Sequence, residues 1–341
     1  MSAASVAMPE PRTMRILVTE PIISRFEPEL RSQDAGYQWI MAAGWSDQEI
    51  LAAMPDVDVL VCSGMTTEMA NAAELLKLVH VAGAGYDRIP LDALPDSVQV
   101  ANTFHHGRGI AEHVIMVALM LARRAIATDR DMRSGVWRNI VNDDAVPFHG
   151  ILQGQTVGLL GLGGIGAEVA KLARGMGMHV QAVRQNPRGA LPADVTLDWV
   201  GGMDELAQLL QTSDILVVAI PLNDQTRGLV DAAALGLMKP TTVIINVARG
   251  AIIDEAALYD ALRNGRIAGA GLDVWWANPN DAGNPSASKF PFAELENVVL
   301  TPHSSGHASI TFENRAKDIA ANIDNLANGR PLINVVKRAK S

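Results

Sequence analysis

The residues best placed by type and spacing to do chemistry are glycines. Gly161-Leu162-Gly163-Gly164-Ile165-Gly166 follows the apolar run Thr156–Leu160 and opens the helical stretch AEVAKLARGMG. A G-x-G-x-x-G pattern alone says little, but between a strand and a helix it reads as a dinucleotide-binding turn. Gly161 would permit the tight turn, Gly163 would let backbone approach a pyrophosphate, and Gly166 would let helix pack on strand. The first helical turn then offers its N–H groups to the anionic phosphates.

The end of the next strand indicates which nucleotide is bound, because an Asp or Glu there would hold the ribose 2′-hydroxyl of NAD. The chain instead reads Ala182-Val183-Arg184-Gln185-Asn186-Pro187-Arg188. Two guanidinium groups, Arg184 and Arg188, suit a 2′-phosphate through charge-assisted bidentate bonds, so NADP is the expected cofactor and NAD the second choice.

The histidines are less specific. His303 and His307 have the i, i+4 spacing of a metal pair, but no nearby Cys or acid completes the set, and no metal is expected. His105, His106 and Arg108 precede a long helix, where they offer either positive charge to an anionic group or hinge hydrogen bonds. Cys62 is the only cysteine; it excludes an intrachain disulfide, reads as a small core residue and points to a reducing, cytoplasmic setting. Trp275-Trp276 reads as aromatic packing.

These groups need a scaffold, and 341 residues suffice for two domains. Hydrophobic residues at 48% and charged residues at 19% exclude a disordered chain. A formal net charge of −9 argues against nucleic acid as a partner. The first dozen residues lack the basic-then-apolar order of a signal peptide. The most apolar stretch, Val114 to Ala122, is far short of the ~20 residues of a membrane span, so no membrane association is expected.

Short Val/Ile/Leu runs alternate with helical stretches, which predicts parallel sheets covered on both faces, an α/β protein. Strands are expected at Ile16–Thr19, Val59–Cys62, Leu78–Val81 and Val98–Ala101. A second series opens at Thr156 and continues with His179–Val183, Ile215–Ala219, Val243–Asn246, Gly269–Val274 and Val298–Thr301. A helix from the glycines at Gly107 and Gly109 to about Ile126 is apolar on every side at its centre and should be buried all round, at a domain junction or a dimer contact. Asn278–Lys289 reads as a loop, and an amphipathic helix is expected from about Ser309 to Leu326.

Several segments, in order over nearly the whole chain, resemble the D-isomer specific 2-hydroxyacid dehydrogenase family. They are Val81-Ala82-Gly83-Ala84-Gly85-Tyr86-Asp87, Gly161 to Gly166, Ile220-Pro221-Leu222, Asn246-Val247-Ala248-Arg249-Gly250, Gly271-Leu272-Asp273-Val274 and Thr301-Pro302-His303. The resemblance implies two doubly wound parallel-sheet domains, a Rossmann-type coenzyme domain at 109–304 inserted into a flavodoxin-like substrate domain at 1–108 and 305–341, and a homodimer. It implies interconversion of a small 2-oxo acid and its (R)-2-hydroxy acid in a cleft between the domains. Arg249 then matches the arginine that holds the substrate carboxylate, whose planar fork fits that group. Ala84 and Gly85 supply backbone N–H groups to it, with His106 also facing substrate. His303 matches the acid/base, since imidazole titrates nearest neutrality. Leu162, Gly164, Ile165, Ile220, Pro221, Val247, Ala248, Asp273 and Gly306 join the cofactor site by the same resemblance.

One position departs from the family pattern. Five residues after Asp273, where most of the family has a glutamate that keeps the histidine protonated, stands Asn278, followed by the usual Pro279. An amide orients an imidazole but adds no charge. Formate dehydrogenases of the family also carry an amide here, although His106 stands where those enzymes place an asparagine. A formate-like dehydrogenase and a nucleotide-sensing corepressor-like protein therefore remain as alternative readings.

Overall fold

A computed structural model describes residues 12–277 and 287–339. The chain divides into two compact units: one holds the described residues of Met1–His105 and Ala308–Ser341, the other is His106–His307. Asn278 and most of the expected 278–289 loop lie outside the described residues.

The first unit is built on strands β1 (Arg15–Val18), β2 (Gln38–Met41), β3 (Val59–Cys62), β4 (Leu78–Val81) and β5 (Gln99–Ala101). The last strand of the chain, β13 (Val335–Lys337), joins the same sheet. Its order is β13-β5-β4-β3-β1-β2, parallel except for the antiparallel edge strand β13. β1, β3 and β4 are almost wholly buried because Val, Ile and Leu fill both faces, as a sheet covered on both sides requires. Cys62 lies in this core, and its burial pushes the thiol up to about 12, so it is inert at neutral pH. The helix Ser309–Ala327 places Phe312, Ala316, Ile319 and Ile323, at helical spacing, against Ile16, Val18, Val59 and Leu78.

That helix also contributes Asn322, which is fully buried against His80 of β4. His80 Nδ1 lies 3.2 Å from Val81 O and its Nε2 lies 3.0 Å from Asn322 Nδ2, a pattern that suits the neutral tautomer protonated on Nδ1. Burial lowers the His80 pKa to about 4, although Val81 O and Asp318 act in the opposite direction. The unfolded chain, with a histidine near its ordinary 6.5, therefore takes up this proton first as pH falls. Stability should be lost progressively from about pH 6.5 to about pH 4, by up to ~3 kcal/mol. Denaturant unfolding at pH 7 and pH 4.5 checks this: His80→Gln should show a smaller pH dependence than wild type, and an unchanged one would contradict it.

The second unit holds β6 (Thr156–Leu160), β7 (His179–Val183), β8 (Trp199–Gly201), β9 (Ile215–Val218), β10 (Val243–Asn246), β11 (Gly269–Leu272) and β12 (Val298–Leu300). All are parallel, in the order β12-β11-β10-β9-β6-β7-β8. The order reverses between β6 and β9, where a doubly wound sheet opens a crevice at its carboxyl edge.

The long helix departs from its sequence expectation in two ways. It ends at Ala122 rather than near Ile126, and a separate helix, Ala125–Arg133, follows Arg124 in the left-handed region at φ 50°. It is also not buried all round: Ile110, Ala111, Val114, Val117 and Ala118 are buried, whereas Met116 is 43% exposed. The helix packs against the helix Gly164–Gly175 and against β10, β11 and β12, and these neighbours leave part of its apolar surface uncovered.

Candidate active site

The glycine turn follows β6. Gly161 has φ 105°, and a Cβ there would lie 2.5 Å from Ala219 O and 2.8 Å from Ile220, so only glycine fits beside the adjoining strand end. A Cβ on Gly166 would strike Gly161 O, which gives this helix its close approach to the strand. Gly163 and Gly164, in contrast, have nothing within 4 Å of a Cβ position. Among the described residues, no acceptor takes the N–H groups of Leu162, Gly163 or Gly164 at the head of the helix Gly164–Gly175. Donors left over above open space fit a pyrophosphate. Ile165 stands in the same first turn. Ile220 adjoins Gly161, and Pro221 O accepts from Thr226 Oγ1 at 2.8 Å, which holds that loop in place.

Arg184 and Arg188 both lie in the loop after β7. Arg184 is half-buried and donates from a terminal nitrogen to Ala190 O at 3.2 Å, while Arg188 is exposed. Among the described residues, no salt bridge joins either guanidinium to a carboxylate.

Arg249 follows β10. Asn246 fixes this segment by donating from Nδ2 to Arg249 O at 3.0 Å and accepting at Oδ1 from Ala248 N at 3.1 Å. Val247 and Ala248 are buried, and Val247 N donates to Val218 O at 3.3 Å. The Arg249 side chain is half-buried, with one terminal nitrogen donating to Ala248 O at 2.8 Å.

His303 sits in the turn after β12 at φ 55°, a left-handed conformation that costs an ordinary residue on the order of 1–3 kcal/mol. Asp273, at the end of β11, holds that turn. Its carboxylate is 1% exposed and accepts from Thr301 Oγ1 at 2.6 Å, Ser304 N at 2.9 Å and Ser305 N at 3.1 Å, and also from Ser305 Oγ. Burial alone would raise the Asp273 pKa; the hydrogen bonds from Ser305, Thr301 and Ser304 outweigh it and hold the group ionised. The His303 pKa is lowered, first because the surrounding protein disfavours the imidazolium. Asp273 opposes that shift, and the nearby Arg249 and His307 reinforce it.

The turn also carries Gly306, whose Cβ position is 3.4 Å from His106 Cβ, so the expected residues His106 and Gly306 are neighbours. The second unit thus collects the glycine turn, Ile220, Arg249, Asp273 and His303 at the carboxyl edge of one sheet. Ala84 and Gly85 belong to the other unit. There Asn102 Nδ2 donates to Ala84 O at 2.7 Å and Thr103 N to Gly83 O at 3.3 Å. Among the described residues, no acceptor takes the N–H groups of Gly83, Ala84 or Gly85.

Sequence reasoning missed Thr301, Ser304 and Ser305 as the donors that fix the His303 turn, although the hydroxyl-rich Thr-Pro-His-Ser-Ser run was a usable signal. It also missed His113, whose Nε2 lies 3.5 Å from Thr301 Oγ1. Trp275 and Trp276 have structural roles: their indole N–H groups donate to Thr301 O at 3.0 Å and Ile253 O at 2.7 Å, and Trp276 stacks on Phe292.

The family model for the D-isomer specific 2-hydroxyacid dehydrogenase, NAD binding domain, matches residues 115–305. A D-3-phosphoglycerate dehydrogenase of Archaeoglobus fulgidus is 32% identical over 95% of this chain, which spans only 59% of that relative's length. A glyoxylate reductase of Korarchaeum cryptofilum is 30% identical over 91% of each chain. Among solved structures, an acyclic imino acid reductase in complex with NADPH and D-Arg aligns with a TM-score of 0.78 at 26% identity, over 95% of this chain and 100% of that one. This chain belongs to the D-isomer specific 2-hydroxyacid dehydrogenase family.

Proposed function

We propose that the protein is an NADP-preferring reductase that interconverts a small 2-oxo acid and its (R)-2-hydroxy acid. The observation that carries this reading is the convergence of Arg249, after β10, and His303, after β12, on the sheet edge that also bears the dinucleotide turn after β6. The bound nicotinamide supplies or accepts the hydride. Arg249 takes the substrate carboxylate in its fork and polarises the adjacent carbonyl. For Ala84 and Gly85 the family resemblance supports a role as backbone donors to a substrate carboxylate. His303 gives its proton to the carbonyl oxygen in reduction and removes it in oxidation. Asp273 locks the turn that aims His303, in addition to its expected place in the cofactor site.

In this reading the unit on β1–β5 and β13 is the substrate domain. Met116, Ile126, Met132 and Trp137, exposed apolar residues on and after the long helix, favour a homodimer, and the lone Cys62 fits the expected cytoplasmic setting. The test of function is a panel of 2-oxo acids, with NADPH absorbance followed. Reduction of glyoxylate, hydroxypyruvate or a larger 2-oxo acid supports the reading, and oxidation of formate alone would replace it.

Cofactor preference is tested separately. With Arg184 and Arg188 presented to a 2′-phosphate, kcat/KM should favour NADPH over NADH. Arg184→Asp should narrow or reverse that ratio, because a carboxylate repels the phosphate and accepts from a 2′-hydroxyl. Equal efficiency with both cofactors, unmoved by the substitution, would rule the preference out.

A further inference from the structure

The sheet of the first unit has its own reversal of strand order. The chain leaves β1 toward β2 and leaves β3 toward β4, on opposite sides of the β1–β3 pair. In a doubly wound sheet such a reversal opens a crevice at the carboxyl edge, where ligands bind. Thr19, which follows β1, and Gly64, which comes shortly after β3, border a cavity of about 160 Å³ at this edge. Every residue that lines it belongs to this one unit.

The cavity has an apolar floor and a charged rim. Ile50, Leu60, Met65 and Met69 form the floor and are all buried; the two methionines let its shape adapt. Asp47, in the first turn of the helix Asp47–Ala53, and Arg88 are exposed and stand at the rim. Among the described residues, neither side chain has a hydrogen-bond or salt-bridge partner, and the two do not pair with each other. Gly64 sets the place of the arginine. A Cβ there would lie 3.0 Å from Arg88 Cβ and 3.3 Å from Arg88 Nε, so Arg88 lies close along a turn that has no side chain of its own. Met65 N ties the same turn to Arg88 O at 3.2 Å.

These features describe the occupant. A cavity of about 160 Å³ is close to the ~150 Å³ that holds one benzene-sized molecule, and too small for a nucleotide or a peptide. Arg88 attracts a carboxylate and Asp47 an ammonium, and both can stay partly hydrated at the rim while an aliphatic group fills the floor. A phosphate dianion would meet Asp47 as a like charge, and a bare metal ion would find one carboxylate where it needs several ligands. We propose that this cavity binds a small aliphatic α-amino acid, side chain inward, with its carboxylate on Arg88 and its ammonium on Asp47. None of these residues takes part in the proposed reaction, and binding can be read without turnover.

The experiment titrates the full chain with L-valine by calorimetry. The comparison probes are isovalerate, which lacks the ammonium, isobutylamine, which lacks the carboxylate, glycine, which lacks the aliphatic group, and inorganic phosphate. L-valine should bind with a Kd of about 1 mM or tighter, and each comparison probe about fivefold or more weakly. Arg88→Gln and Asp47→Asn change exposed positions and leave the core intact. Each should weaken L-valine binding about fivefold, the scale of one charged contact at a wet rim. L-valine binding that is absent, or that neither substitution moves, overturns the proposal. Equal binding of isovalerate and L-valine would make this a site for simple carboxylates, and tighter binding of phosphate would make it a general anion site. Either result overturns the amino acid assignment.

Discussion

Arg249→Lys should lower kcat/KM for 2-oxo acid reduction on the order of a thousandfold, although the positive charge is kept. The reason is geometric. A guanidinium meets a carboxylate with two parallel N–H donors and polarises the neighbouring carbonyl, whereas an ammonium is a point charge with no such plane. The site is also prearranged around the arginine: Asn246 grips the backbone on both sides of Ala248, and the side chain donates to Ala248 O at 2.8 Å. A lysine would inherit a frame built for a fork. The defect should appear in kcat as well as KM, because the polarised carbonyl develops its charge only in the transition state. The dissociation constant for NADPH should change little. A lysine variant with near-normal turnover would show that the carboxylate is held elsewhere.

Removing the His303 imidazole, as in His303→Gln, should cost about a hundredfold to ten-thousandfold in kcat, the usual contribution of a positioned acid/base. The pH dependence identifies the role more sharply. Surrounding protein, Arg249 and His307 lower the His303 pKa, and Asp273 offsets only part of this, so the apparent pKa should lie below the ordinary 6.5. Reduction needs the imidazolium, so kcat/KM for the 2-oxo acid should fall as pH rises through that value. Oxidation of the hydroxy acid needs neutral imidazole and should rise over the same range. Asn278→Glu should move the falling limb of reduction to higher pH, because a carboxylate stabilises a nearby imidazolium. It should leave the NADPH preference alone, since Arg184 and Arg188 lie on a different loop. Coincident profiles for wild type and Asn278→Glu would mean that residue 278 does not face His303. A flat profile accompanied by formate oxidation would favour the hydride-only reading.

The parts of the fold most legible in the sequence were those with a single physical cause. β3, β4, β7 and β10 were placed to the residue and β6 began at Thr156 as expected; β3 and β4 are buried throughout, and β6 and β10 are buried after their first residue. The helix Ser309–Ala327 also declared itself, because one apolar stripe at helical spacing has few other uses. Three strands left no comparable trace. Gln38–Met41 and Val335–Lys337 are edge strands that are at most half-buried, and Trp199–Gly201 is three residues long with a glycine at its end. Edge strands need no apolar run, since they are defined by backbone pairing alone. The break after Ala122 was equally silent, because no glycine or proline marks it and Arg124 itself adopts the left-handed turn.

The site divided in the same way. The glycine turn was readable because glycine is demanded by backbone geometry, as Gly161 shows beside Ala219 O. The position of His303 followed from its motif, but the reason it is held there did not. Asp273 holds its turn through Thr301, Ser304 and Ser305, which come together when β11 and β12 pair.

The central claim is that this chain reduces a 2-oxo acid with a nicotinamide cofactor, using Arg249 and His303. The most direct measurement is NADPH consumption with a 2-oxo acid panel by wild type, Arg249→Lys and His303→Gln, together with chiral analysis of the product. The account predicts stoichiometric formation of the (R)-2-hydroxy acid by wild type and near loss of it in both variants. Turnover of a 2-oxo acid that survives both substitutions, or an (S) product, would contradict it.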